Sequence, residues 1–162
     1  MSFNHFDEKG HAHMVDVTGK EPTVRQATAT ATVNLGRELL AGVLDRNLTK
    51  GDVLGVARLA GINAVKRTSD LIPLAHPLAI GQAAVDFRID EIEGTVQVLC
   101  SAKALEKTGV EMEAMTGATV AALTIYDMCK GRDKSISIGQ VRLLYKSGGK
   151  SGVFQAEGEV PE

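Results

Sequence analysis

At 162 residues the chain is most economically one domain, large enough for a real core. A net charge of −2 offers nothing global to draw it to nucleic acid, and an aromatic content of 4% with no Trp argues against base-stacking platforms. Cys100 and Cys129 lack CxxC spacing and read as reduced thiols; with no apolar leader after a basic start and no run of membrane-spanning length, a soluble, cytoplasmic protein is expected.

Residues 1 to about 20 are polar, carry three of the four histidines, and are expected to form a mobile arm. From Thr23 to Val33, Val24, Ala27, Ala29, Ala31 and Val33 interleave with Thr and Arg, which predicts a strand. Asn34 is a candidate cap for a helix through about Asp45, with Leu35, Leu39, Leu40, Val43 and Leu44 on one stripe. Asp52 is a candidate N-cap for a second helix whose period is carried by Val53, Val56, Leu59, Ala60 and Val65.

Pro73 and Pro77 bracket a segment that cannot be helix interior and predict an extended loop. Residues 81–90 and 95–105 predict an antiparallel pair joined by Glu91-Ile92-Glu93-Gly94. A helix over 111–130 follows, then a strand over 135–145 with Ile136, Ile138, Val141 and Leu143 as its apolar positions. The tail from about 153 is acidic and is expected to be loose. The order strand, helix, helix, strand, strand, helix, strand predicts an α+β domain resembling the ferredoxin-like arrangement, with helices on one face of an antiparallel sheet.

Several residues could carry chemistry. His76, held between prolines, is either a core histidine satisfied by a carbonyl or a proton-transfer group on a rigid loop. Glu111 and Glu113 open the long helix. They either complement its dipole or serve a site, but two residues apart they cannot share one helical face. Service at one site then requires the first turn to sit at its rim, or one of the pair to face a neighbouring subunit. Asp127 and Lys130 are three apart and share a face, as a surface ion pair or as an acid and base. Arg25, Lys50, Lys66, Arg67, Lys146 and Lys150 lie at element ends.

The segment from Lys146 to Gly152 fails the phosphate-loop pattern, because Leu144 stands where Gly is required. It remains a cationic glycine loop able to contact phosphate. His11 and His13 have no third ligand at a useful spacing, so no protein metal site is assigned.

Five strings carry a resemblance. They are Met14-Val15-Asp16-Val17-Thr18, Lys66-Arg67-Thr68, Leu71-Ile72-Pro73-Leu74-Ala75-His76-Pro77-Leu78, Thr108-Gly109-Val110-Glu111-Met112-Glu113-Ala114, and Ala121-Ala122-Leu123-Thr124-Ile125-Tyr126-Asp127-Met128-Cys129-Lys130. In order, from about Met14 to Gly152, they resemble the molybdenum cofactor biosynthesis protein C family, the cyclic pyranopterin monophosphate synthases. The resemblance implies conversion of 3',8-cyclo-7,8-dihydro-GTP into cyclic pyranopterin monophosphate with release of pyrophosphate. It implies a homohexamer, a trimer of dimers with active sites at subunit contacts, and transient contact with the upstream radical enzyme.

By the same resemblance Asp127 matches the family's active-site aspartate and Lys130 its partner lysine. Leu74, Ala75 and His76, with Met112 and Glu113, match substrate-contacting segments. Glu111, Lys50, Lys66, Arg25 and Lys146 match polar positions around that pocket. Asp127, Lys130, Lys50 and His76 are the catalytic candidates. The family commonly has Cys where this chain has Ala75, so a thiol there cannot be required for its chemistry. No cofactor is required by the sequence, although Mg2+ could assist by binding the leaving pyrophosphate. The alternative is a non-catalytic subunit that binds the nucleotide and hands it to a partner enzyme.

Overall fold

The computed structural model describes residues 5–45 and 51–157. The elements run β1 (Thr23–Asn34), α1 (Arg37–Leu44), α2 (Val53–Val65), α3 (Thr68–Leu71), β2 (Ile80–Asp90), β3 (Thr95–Glu106), α4 (Glu111–Cys129), β4 (Ser137–Ser147) and β5 (Phe154–Gln155). The strands form one sheet in the order β2-β3-β1-β4-β5, every neighbouring pair antiparallel. The sequence order with β1 between β3 and β4 is the ferredoxin-like arrangement, in which each helical crossover returns the chain to the sheet. α3 and the two-residue β5 add to the predicted elements.

Alternation decides which face of the sheet is covered. Ala27, Ala29, Ala31 and Val33 of β1 are fully buried, and they pair with Ala102, Cys100, Val98 and Val96 of β3, also buried. α4 lies against all four of the longer strands, and α2 packs on α4 and β2. Val24 departs from the prediction. An even residue among odd inward positions points to the opposite face, and it is exposed. The opposite face carries Thr28, Thr30 and Thr32; Thr30 is buried there, and its hydroxyl is satisfied by donating to the Val98 carbonyl at 2.9 Å.

The inward stripe of α2 also differs from the prediction. Val53, Ala57, Gly61, Ala64 and Val65 are buried, whereas Val56 and Leu59 are exposed. The small residues face inward because α2 and α4 nearly touch. A Cβ on Gly117 would meet the Sγ of Cys100 and would lie 2.6 Å from Val65 Cγ2. A Cβ on Gly61 would lie 2.8 Å from Val85 Cγ2 and 3.0 Å from the Gly117 carbonyl. Gly117→Ala is therefore expected to destabilise the protein by about 1–3 kcal/mol, read as a lower denaturant midpoint with unchanged slope. An unchanged midpoint would mean that the helices separate freely.

Termini and bends follow local chemistry. Asp52 caps α2, its carboxylate accepting from Gly55 N at 2.9 Å. Asn34 does not cap α1. Its side chain accepts from Gly36 N at 3.1 Å and closes a turn, and the helix begins after Gly36 with no side-chain cap. β4 begins and ends two residues later than predicted. Its pairing with β1 slips between Arg142 and Gly139, where Gln140 has φ 50°, and the resulting bulge breaks alternation and leaves Val141 exposed. The proline-bracketed loop appears as expected. α3 stops at Leu71, Ile72 turns extended before Pro73, and residues 75–79 carry no regular structure. No described helix is long and apolar enough to cross a membrane.

Candidate active site

The first turn of α4, the loop before it and the proline-bracketed loop enclose a cavity of about 410 Å³. Leu74, Ala75, His76, Glu111, Met112 and Glu113 all line it. The loop over 72–79 is held in two places. Ala75 N donates to the Ile72 carbonyl at 3.0 Å, and Ala79 N donates to Glu106 Oε1 at 3.0 Å, tying the loop to the end of β3. A helix start can present two residues of alternate facing to one cavity when its end, rather than its side, forms the wall. That places both Glu111 and Glu113 at the site within one chain.

Glu113 is 3% exposed, and burial pushes its carboxyl up to about 7, with the charge of Glu111 adding to the rise and a bond to its own backbone opposing it. A carboxyl poised there can give or take a proton near neutrality. His76 is half-buried, and its Nε2 lies 2.8 Å from the Val15 carbonyl. It is thus both satisfied by a carbonyl and placed in the cavity wall.

A second cavity of about 810 Å³ adjoins the first and shares Lys20, Thr108, Gly109 and Glu111 with it. Arg25, Lys107 and Lys150 bring further cations to its wall. Arg25 also ties elements together: Nε donates to the Glu106 carbonyl at 3.2 Å and Nη2 to the Lys107 carbonyl at 3.3 Å. Its guanidinium lies over Gly149, where φ is 71° and a Cβ would collide with Nη1. The glycine loop thus serves the site by letting the chain close over Arg25.

The other predicted residues lie elsewhere. Asp127 and Lys130 close the far end of α4, about 24 Å from Glu111 at 1.5 Å per residue. Lys130 Nζ is 2.6 Å from Asp127 Oδ1, and that bond and charge raise the ammonium above its ordinary value. Lys66 sits at the C-terminal cap of α2 and Lys146 on β4, its ammonium donating to the Ser151 hydroxyl; neither lines the two cavities. Lys50 falls outside the described residues. Within one protomer the cavity residues and the Asp127–Lys130 pair are therefore not brought together.

Residue-by-residue reading missed Val15, Val17, Lys20 and Lys107. The string around Val15 and Val17 was the available signal, since an apolar pair alternating inside a polar arm needs something to cover. No group of three or more His, Cys, Asp or Glu that could hold a metal ion occurs among the described residues.

The MoaC family model matches residues 14–149. A protein of Pelobacter propionicus named cyclic pyranopterin monophosphate synthase is 66% identical over 157 residues, covering 97% of this chain and 98% of its own length. Proteins of the same name from Geobacter sulfurreducens and Clostridium perfringens are 65% and 52% identical, covering 97% and 93% of this chain and 98% and 95% of their own lengths. With a family model spanning most of the sequence and such identity across nearly all of it, the chain belongs to the MoaC family.

Proposed function

We propose that this chain is a cyclic pyranopterin monophosphate synthase, a phosphorus–oxygen lyase of molybdenum cofactor biosynthesis. It converts 3',8-cyclo-7,8-dihydro-GTP into cyclic pyranopterin monophosphate and releases pyrophosphate. The observation that carries this reading beyond family membership is the joined pair of cavities: one holds a buried acid and an imidazole, and the other brings Lys20, Arg25, Lys107 and Lys150 together beside Glu21 and Glu111. A ring system that must be opened and reclosed needs proton donors and acceptors. A triphosphate of about −4 needs Lys and Arg.

In this reading the ring occupies the cavity of His76, Met112 and Glu113, and Arg25, Lys20, Lys107 and Lys150 meet the phosphates. Lys66 and Lys146, which line neither cavity of their own chain, contribute from neighbouring copies, and Lys50 adds a further cation for the phosphates. A substrate hydroxyl then attacks the α-phosphorus and pyrophosphate leaves, a step governed by positioning and charge stabilisation. Mg2+ would accompany the leaving pyrophosphate. Asp127 and Lys130 stand too far from the cavity to act on the same molecule within one protomer. A second copy supplies them, which fits a homohexamer built as a trimer of dimers with sites at subunit contacts.

Incubation of the purified chain with the cyclised dihydro-GTP tests the reading. Pyrophosphate and the pterin product are both expected, and both are lost in His76→Ala. Tight binding without either product would replace the enzyme with a nucleotide-handing subunit.

A further inference from the structure

The segment before β1 takes part in the site in a way its polar composition does not suggest. Val15 and Val17 are half-buried and alternate with exposed Asp16 and Thr18, so the segment lies extended along the cavity wall. Its own turn shapes it, and Lys107 fastens it to the loop before α4. Asp16 Oδ1 accepts from the Thr18 amide at 2.8 Å and from the Thr18 hydroxyl at 2.7 Å. Lys107 Nζ donates to the Thr18 carbonyl at 2.8 Å, and Lys20 N donates to the Val17 carbonyl at 3.1 Å. Lys107 belongs to the loop that leads into Glu111 and Glu113, so one loop holds both the segment and the acids.

The Val15 carbonyl meets Nε2 of His76 at 2.8 Å. A carbonyl oxygen can only accept, so Nε2 carries the hydrogen and, in the neutral ring, the lone pair is on Nδ1. No buried side-chain nitrogen or oxygen among the described residues lacks a partner. Among the described residues Nδ1 has no hydrogen-bond partner, and it is therefore open to solvent or substrate.

We propose that residues 15–18 act as a positioning strap, the Val15 carbonyl fixing the tautomer and orientation of His76 so that Nδ1 is the proton acceptor of the active site. A proton leaving the substrate passes to Nδ1 and gives the imidazolium, which returns it in a later step. The Val15 carbonyl accepts from Nε2 throughout and does not rearrange, much as a carbonyl behind a metal-bound histidine fixes its ring. The proposal rests on the cavity being the synthase active site. Val15 is a positioning residue through its backbone; His76 alone of the two touches substrate.

The test uses the full chain labelled with 15N-histidine, the His76 signals being assigned by their loss in His76→Gln. The intact protein is expected to show a His76 Nε2–H resonance protected from solvent exchange. Asp16→Ala, an exposed change that opens the strap's turn, is expected to expose that resonance to exchange and lower kcat about tenfold, with KM within about twofold. Lys107→Met, which frees the Thr18 carbonyl, is expected to remove the same resonance, and Lys107→Arg to restore it. A ring protonated on Nδ1 in the intact protein, a resonance that survives both strap changes, or its loss with kcat unchanged would each overturn the strap. No turnover by the intact chain would instead remove the synthase reading, and the strap's catalytic role with it, even with His76 protected.

Discussion

Asp127→Asn and Lys130→Ala are each expected to lower kcat at least a hundredfold while leaving thermal stability within about 1 kcal/mol of the parent. The two effects separate because of where the pair sits. Both side chains are more than half exposed, so their ion pair in one protomer is screened and contributes little to folding. The same 2.6 Å contact holds the proton on Lys130, so the pair presents a lasting cation with a carboxylate beside it, an arrangement suited to meeting the charge of a bound substrate.

If the pair completes a neighbouring copy's cavity, two inactive proteins should complement each other. Dissociating His76→Gln and Lys130→Ala oligomers and reassembling them together is expected to restore about a quarter of the sites, those built from two intact halves. Rates within about fivefold of the parent in the single variants, roughly 1 kcal/mol, would remove Asp127 and Lys130 from the chemistry.

The second large effect concerns Glu113, and its sign follows from burial. Its carboxyl is raised from 4.5 to about 7, so the folded protein binds that proton more tightly than the unfolded chain does. The stability this provides is fully present below 4.5 and is lost as pH rises through about 7. Glu113→Gln, which stays neutral, is expected to be more stable than the parent above neutrality by about 2 kcal/mol and to lose this segment of the pH dependence. Urea midpoints measured across this range decide it. Parallel curves for the two proteins would show that the carboxylate is well solvated or paired in the folded protein. Turnover should fall in the same variant, since an amide cannot carry the proton.

Much of the architecture was legible because it is local. Alternation over 27–33, the helix over 111–129, the Asp52 cap, the turn at Glu91–Gly94 and the loop between Pro73 and Pro77 are each written in neighbouring residues. Two of the misreadings arise from how elements meet. Val56 and Leu59 looked like core, but the face of α2 turned inward is that of Val53, Ala57, Gly61, Ala64 and Val65, with Gly61 and Val65 set against Gly117 of α4. The bulge at Gln140 turned Val141 outward by changing how β4 meets β1, which no property of β4 alone announces.

The site divides along the same line. Residue types, their spacing at the ends of α4 and the long matching strings determined that an acid, an imidazole and several cations belong to one family's chemistry. Tertiary structure decided which of them meet. It joined the 72–79 loop to the start of α4 and laid residues 15–20 over the pair, and it set Asp127 and Lys130 at the far end of a rigid helix. A helix fixes its own length and facing from within, so its ends could be read. What lies across from those ends depends on chain 61 residues away, as between Val15 and His76, and only folding brings such partners together.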